Sequence, residues 1–490
     1  MILSVVTAIT ILTVSVVAIV FVAHCFYGGE RDQPHYFMCF CIGIVISGGI
    51  IVGITIGGAI GCIIACLIAC IGMLPGIYVF VFMGASNWRK IYCPFCFESI
   101  KVSEIKFYCH HCSTEISREP SFWEKIGIAS PKSAKCSYGH TSTFKRCPNQ
   151  DCNRDLPHTI GDLSDISIAI IGARGSGKTH YIALLIQRIA QIGSRDKFDW
   201  TLNDLVSETR KRYDSEFRKP LFVDHITIEP TGKGKSDPLL YCLRQNIRLP
   251  GFIRCLNTCL NTCLLGSLQV KDQRRIMLVF FDTAGENLDV ETYEMDAINR
   301  YICNASGIIC LLDPLQLPSV RRELQGKIEL PAQNTDTAQV LGNVHRLLEH
   351  GFIVQNRQMT RNDQVPIPLA VTFSKIDAIK APDGCPATLL HETCVIYQES
   401  RHYGYLNLGE FHNINNDMET WLTNVDPSVL QPCGHFADVA FFGVSALGEH
   451  PTTDTTTKKQ VLSRDPRPRR VEDPLLWILH KKGWIDARED

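Results

Sequence analysis

The sequence predicts an α/β domain with a mainly parallel sheet, preceded by transmembrane helices and a small metal-binding ribbon. Three observations predict it. Glu30, Arg31 and Asp32 are the only charged side chains among the first 83 residues of this 490-residue chain. Seven of the 22 cysteines fall between Cys93 and Cys152, mostly in close pairs. From Asp165 onward, short apolar runs alternate with helical patterns, which is how a parallel sheet with crossover helices reads. The expected boundaries are 1–85 for the membrane segment, 90–158 for the ribbon, 163–450 for the α/β domain and 451–490 for a C-terminal tail. A net charge of −1 offers no argument for nucleic acid, and no such partner is expected.

Residues Ile2–Ala23 form an uninterrupted apolar run, and about 20 such residues suffice to cross a bilayer as a helix. A second run, Phe37–Ala85, is long enough for two further spans or for one tilted span with a re-entrant piece. Gly49, Gly53, Gly57 and Gly61 fall every fourth residue, a spacing that lets membrane helices approach closely and so could support a homo-oligomer. Trp88, Arg89 and Lys90 follow the apolar run; by the positive-inside rule they place the rest of the chain in the cytosol. The expectation is three spans, or alternatively two, in a bacterial inner membrane, with the lipid bilayer itself a partner.

Cys93-Pro-Phe-Cys96 and Cys109-His-His-Cys112 are CxxC pairs separated by twelve residues. Four thiolates from two such turns make a closed tetrahedral Zn²⁺ site, the pattern of a zinc ribbon. Cys136, His140, Cys147 and Cys152 offer a second set of four with looser spacing; His110, His111 and His158 are possible substitutes. Both sets read as structural, because four protein ligands leave no open position for catalysis.

The run Asp165–Ile171 leads directly into Gly172-Ala-Arg-Gly-Ser-Gly-Lys-Thr179, which satisfies GxxxxGK[ST], and a helical pattern follows. That strand–loop–helix context marks a phosphate-binding loop. Gly172, Gly175 and Gly177 let backbone N–H groups, including that of Ser176, curl around phosphate oxygens at a helix N-terminus. Lys178 is expected on the β- and γ-phosphates, Thr179 on Mg²⁺, and His180 beside them. A second strand, Arg275–Phe281, ends in Asp282-Thr-Ala-Gly285, where the carboxylate can hold the Mg²⁺ shell and the Gly285 N–H can meet the γ-phosphate. Strand patterns at Gly307–Leu312 and Pro368–Phe373 follow, the latter running into Ser374-Lys375-Ile376-Asp377; Asp438–Val444 runs into Ser445-Ala446-Leu447.

These four motifs, in this order, resemble the P-loop NTPase domain of the Ras-like, translation-factor-related (TRAFAC) class of GTPases over residues 165–450. The resemblance implies that GTP and Mg²⁺ bind at the C-terminal ends of the strands. It also implies that Asp377 reads guanine, Lys375 covers the ring, and the Ser445–Ala446 loop meets the guanine oxygen. More narrowly, Phe280–Glu286, the SKID sequence and the tail Arg470–Trp477 resemble the bacterial double-GTPase family of conflict systems.

The sequence departs from that class at several points. Ser374 replaces the usual Asn or Thr. Glu286 stands where a glutamine orients the attacking water, and its carboxylate would lie near a highly negative phosphate. Arg174 replaces a loop glycine and is either a built-in positive charge at the transition state or a solvated side chain. Thr227 and Thr231 are the candidates for the switch threonine, and Cys255, Cys259 and Cys263 at helical spacing read as one helix face. The leading expectation is a membrane-anchored GTPase, with Lys178, Glu286 and Arg174 as its catalytic candidates, switching a protein effector or regulator. The alternatives are a nucleotide-dependent membrane scaffold that hardly cleaves GTP, and a P-loop ATPase.

Overall fold

The structure is a computed structural model describing residues 91–120, 132–160, 164–195, 198–228, 237–246, 273–281, 297–333, 336–382, 384 and 386–489. The chain divides into two compact units, one holding residues 100–148 and the other holding residues 92–99, 149–244 and 275–490.

The larger unit is built on a seven-stranded sheet. Its strands are β1 (Ser164–Gly172), β2 (Trp200–Asp204), β3 (Leu239–Asn246), β4 (Gln273–Phe280), β5 (Gly307–Leu312), β6 (Leu369–Phe373) and β7 (Val439–Gly443). They lie in the order β2-β3-β4-β1-β5-β6-β7, and β4, β1, β5, β6 and β7 pair in parallel. Every residue of β5 and β6 is buried, which is why those strands read as continuous apolar runs. Along β1 the side chains alternate between two cores: Ile168 and Ile170 enter one, Ala169 and Ile171 the other.

Helix α1 (Lys178–Arg195) follows the glycine-rich turn after β1 and buries Tyr181 through Ile186, Ile189 and Ile192. Helices α2 (Ala297–Cys303), α3 (Thr337–Val354) and α4 (Leu408–Val425) follow along the chain. Two polar caps set where α3 and α4 begin: Asp336 accepts from the Ala338 and Gln339 N–H groups, and Asn407 accepts from that of Glu410. The last helix, α5 (Asp473–Lys481), lies in the core through Leu475, Leu476, Trp477, Ile478 and Leu479. It packs so closely on β5 that a Cβ on Gly307 would sit 2.4 Å from Ile478 Cγ2.

Register places the motifs. Gly172 pairs with Leu311, Leu312 with Phe373, and Phe373 with Gly443. The chain therefore leaves β1, β5, β6 and β7 at one sheet edge, into Gly172–Thr179, Asp313, Ser374–Asp377 and Val444–Ala446 respectively.

The smaller unit consists of short hairpins. Lys106–Cys109 pairs with Thr114–Ile116, and Ala134–Lys135 with Thr141–Ser142.

The expected transmembrane helices, and with them the multi-pass membrane location, bilayer partner and membrane anchoring, are corrected. Among the described residues no helix is long and apolar enough to cross a membrane. Helices α1, α3 and α4 run 18 residues each and interleave charged and polar side chains with apolar ones. A span needs about 20 predominantly apolar residues. The runs Ile2–Ala23 and Phe37–Ala85 and the glycine stripe lie outside the described residues.

Candidate nucleotide and metal sites

The candidate phosphate loop, Gly172–Thr179, begins where β1 ends. Gly172 passes so close to β5 that a Cβ there would lie 2.3 Å from the Leu311 carbonyl oxygen. Gly175 and Gly177 have φ of +78° and +85°, a region open to glycine at little steric cost. Among the described residues, and chain neighbours apart, no atom lies within 4 Å of a Cβ built on either. The buried Lys178 folds back over the loop, its Nζ donating to the carbonyls of Gly172 at 2.7 Å and Ala173 at 3.4 Å. Its ammonium thus sits within the loop that the glycines curve. Ser176 is buried, Thr179 is half-buried at the first turn of α1, and Arg174 is exposed.

The SKID loop reaches this loop directly. Lys375 adopts φ +51°, and its Nζ donates to the Gly175 carbonyl at 2.9 Å and to Asp313 Oδ2 at 2.6 Å. Asp313 is only 5% exposed and accepts from the Leu315 N–H through its other oxygen. Ser374, at the position departing from the usual Asn or Thr, is buried and donates to the Leu312 carbonyl from both backbone N–H and hydroxyl. Asp377 lies half-buried in the short helix that follows. The Ile376 N–H donates to the Val444 carbonyl, joining this loop to the Ser445–Ala446 loop.

The Ser445–Ala446 loop is itself clamped. Ser445 exchanges two backbone hydrogen bonds with Arg469, and the Gly448 N–H donates to Ser445 Oγ. Arg469 donates to the Tyr397 carbonyl, and the Tyr397 hydroxyl donates to the Ile376 carbonyl. Beneath lies a buried ionic network in which Arg470 pairs with Glu410 and Asp473, while His402 pairs with Asp473. Burial alone would raise the Asp473 pKa, but the charges of Arg470 and His402 hold it below the usual value. Burial works in the opposite sense on His402, whose pKa the charge of Asp473 nevertheless raises.

His180 connects α1 to the Thr227 segment. Protein atoms crowd this side chain although part of its surface still reaches solvent. Burial, helped by the charge of Lys375, lowers its pKa to about 4. The imidazole is therefore neutral near pH 7, and its Nε2 accepts from the Ile228 N–H at 3.1 Å. The adjacent Thr227 N–H donates to the Gln460 carbonyl. Thr231, Asp282, Gly285 and Glu286 lie outside the described residues, as do Cys255, Cys259 and Cys263.

The structure brings all eight expected metal ligands into two groups but divides them differently. Sequence spacing groups Cys93, Cys96, Cys109 and Cys112, leaving Cys136, His140, Cys147 and Cys152 as the second set. In the structure Cys93, Cys96, Cys147 and Cys152 form one group, and Cys109, Cys112, Cys136 and His140 the other, each with ligand atoms within 4.8 Å of one another. The physical reason lies in the hairpins. Ser142 Oγ donates to the Tyr108 carbonyl at 2.6 Å and the Tyr108 N–H to the Phe144 carbonyl, holding the two hairpins together. Their turn residues then meet, whatever their separation along the chain. His110, His111 and His158 belong to neither group.

The donor sets fit a tetrahedral ion such as zinc. Cys93 and Cys152 Sγ are 3.8 Å apart, and Cys112 and Cys136 Sγ 3.7 Å. Four sulfurs about 2.3 Å from one zinc stand about 3.8 Å from each other, whereas a disulfide needs about 2.05 Å. None of these seven cysteines is joined in a disulfide.

Sequence reasoning missed Asp313, Tyr397, Arg469 and the ionic network. Asp313 alone left a signal, as a carboxylate directly after a wholly apolar strand.

No family model matches the chain. Over 234 residues it is 28% identical to the "Putative ESX-1 scaffolding and assembly protein SaeC" of Mycolicibacterium smegmatis, a match covering 47% of this chain and 51% of that one. The chain thus spans about half the length of the curated relative it matches. Among solved structures it is similar to the signal recognition particle receptor SRb-GTP/SRX complex from Chaetomium thermophilum. That likeness has 12% identity and a TM-score of 0.21, covers 59% of this chain and 94% of that chain, and is too loose to carry an argument.

Proposed function

We propose that this chain binds GTP at Gly172–Thr179 and hydrolyses it as a regulatory switch. The observation that carries the reading is Lys375, whose ammonium joins the SKID loop to the Gly175 carbonyl of the phosphate loop. A nucleotide lying along that edge would meet glycine amides at its phosphates and Asp377 at its base. Lys178 would exchange its loop carbonyls for phosphate oxygens, a shift of partner rather than of place. Thr179, with Asp282 through water, would hold Mg²⁺, which neutralises charge on the phosphates when bound. Ser445 and Ala446 would close the base pocket from the far side. The TRAFAC-class kinship, and the narrower one to the double GTPases of conflict systems, belong to this same reading.

Phosphate release by the purified full chain tests it. Release from GTP that is lost in Lys178→Ala supports the switch, and release unaffected by that change sinks it. A second reading, a nucleotide-dependent scaffold with little hydrolysis, is favoured by the similarity to a protein named for scaffolding and assembly. Tight GTP binding with negligible phosphate release would select it, and Glu286→Gln would then be the variant to raise the rate.

A further inference from the structure

We propose that the first cysteine knuckle, Tyr92–Ser99, is a positioning element for the nucleotide site. In this reading, which rests on the proposed function, its metal sets the affinity for nucleotide. The knuckle belongs to the same compact unit as the sheet, and it is docked in detail. Arg300 Nε donates to the Cys96 carbonyl at 2.9 Å, and Asn304 Nδ2 to the Phe97 carbonyl at 3.1 Å. Arg300 also pairs with Glu98 at 3.5 Å, and Asn149 donates to that carboxylate at 2.7 Å. Thus α2 and the residue just past its end hold the knuckle by its backbone, at carbonyls whose direction the turn dictates.

The buried Phe97 completes the contact. Its ring centroid lies 4.8 Å from that of Tyr301 and 5.9 Å from that of Phe281. Phe281 directly precedes Asp282, and Tyr301 stands on the helix Ala297–Cys303. Tyr301 in turn donates its hydroxyl to the Ile168 carbonyl of β1 and reaches the Val279 carbonyl of β4 at 3.4 Å. Phe97 therefore rests at once on the strand end leading into Asp282 and on the helix beyond.

Phe97 holds this place at a cost. Its φ is +56°, which a bulky side chain adopts only when its surroundings impose it. The imposition comes from the turn: the Phe97 N–H donates to the Cys93 carbonyl, and the Cys93 N–H to the Glu98 carbonyl. An ion on Cys93 and Cys96 would lock that turn. Without the ion that restraint on the turn is lost, and relaxation of Phe97 would withdraw its ring from Phe281.

The experiment uses the full chain, zinc-loaded and after removal of zinc by a chelator. Hydrogen exchange across Ala297–Cys303 and the affinity for a fluorescent GTP analogue with Mg²⁺ are read in both states. Zinc removal should speed exchange in that helix at least tenfold and weaken the analogue by a similar factor. Phe97→Ala should do the same while retaining its zinc, which separates the contact from the metal. Exchange in Ala297–Cys303 unmoved by both zinc removal and Phe97→Ala would overturn the proposal. If no guanine nucleotide binds in any state, the functional reading fails by itself, and with it the link to affinity. Faster exchange would then leave the knuckle with a structural role alone.

Discussion

Replacing Lys375 by Met removes an ammonium that serves two loops. The side chain keeps its length and apolar stem but loses the 2.6 Å bond to Asp313 and the 2.9 Å bond to Gly175. Asp313 is stranded: its side chain is 5% exposed, and of its two oxygens only the one bonded to the Leu315 N–H keeps the partner described above. Breaking a fully buried pair from one side costs about 3–5 kcal/mol, while an exposed pair contributes about 0–1 kcal/mol. Lys375 itself is 37% exposed, so the cost falls between these limits, at about 2 kcal/mol. Urea unfolding of the nucleotide-free chain should show that loss. Adding Asp313→Asn removes the stranded charge and should restore most of it. Nucleotide binding should behave differently: a lost charge-assisted contact between the two loops, about 2 kcal/mol, corresponds to roughly thirty-fold in affinity. The double substitution should not recover that factor, because nothing spans from the base loop to the phosphate loop. If Lys375→Met lowers stability but leaves GTP affinity unchanged, the lysine is a brace and the reasoning is refuted.

Further outcomes follow from the same geometry. Lys178→Ala should abolish nucleotide binding with the fold retained, as judged by circular dichroism; unchanged affinity would remove Gly172–Thr179 as the site. Asp377→Asn should shift preference from guanine to xanthine nucleotides, because the amide presents a donor where guanine also presents donors; competition binding checks this. Elemental analysis of protein purified without chelator should find about two zinc ions per chain, one for each tetrahedral ligand set. His402→Gln should be destabilising in a pH-dependent way. The folded pKa of His402 is raised, so its contribution is full below about 6.5, the unfolded value, and is lost as pH rises through the folded one. The difference in Tm between wild type and variant should therefore shrink from pH 6 to pH 9.

The strands were legible where burial on both faces leaves no polar residue to break the run. Gly307–Leu312 was read to the residue, and the strands ending at Gly172, Phe280, Phe373 and Gly443 to within a residue or two. The tight turn through Gly175 and Gly177 was legible because glycine spacing there records a backbone that other residues resist. The division of the metal ligands was not, since it depends on how two hairpins lie together rather than on distance along the chain. Nor was the role of Arg469 and Arg470: the tail Arg470–Trp477 carried only a resemblance, yet Arg470 is 3% exposed. Its carboxylate partners, Glu410 and Asp473, sit 60 residues before it and 3 after it. The β-branched run Ile226-Thr-Ile228 has the composition of a strand, but among the described residues only Ile226 bridges, to Val461. A β-branched segment forms a strand only where a neighbour offers its edge.

The central claim is that the edge carrying Gly172–Thr179, Lys375 and Asp377 is a guanine-nucleotide site. Competition binding to the full chain tests it most directly, with a fluorescent GTP analogue displaced by unlabelled GTP or ATP in the presence of Mg²⁺. The account predicts displacement by GTP at concentrations at least a hundredfold lower than by ATP, with the preference abolished in Asp377→Asn. Equal displacement by the two nucleotides, or a preference that survives Asp377→Asn, would contradict it.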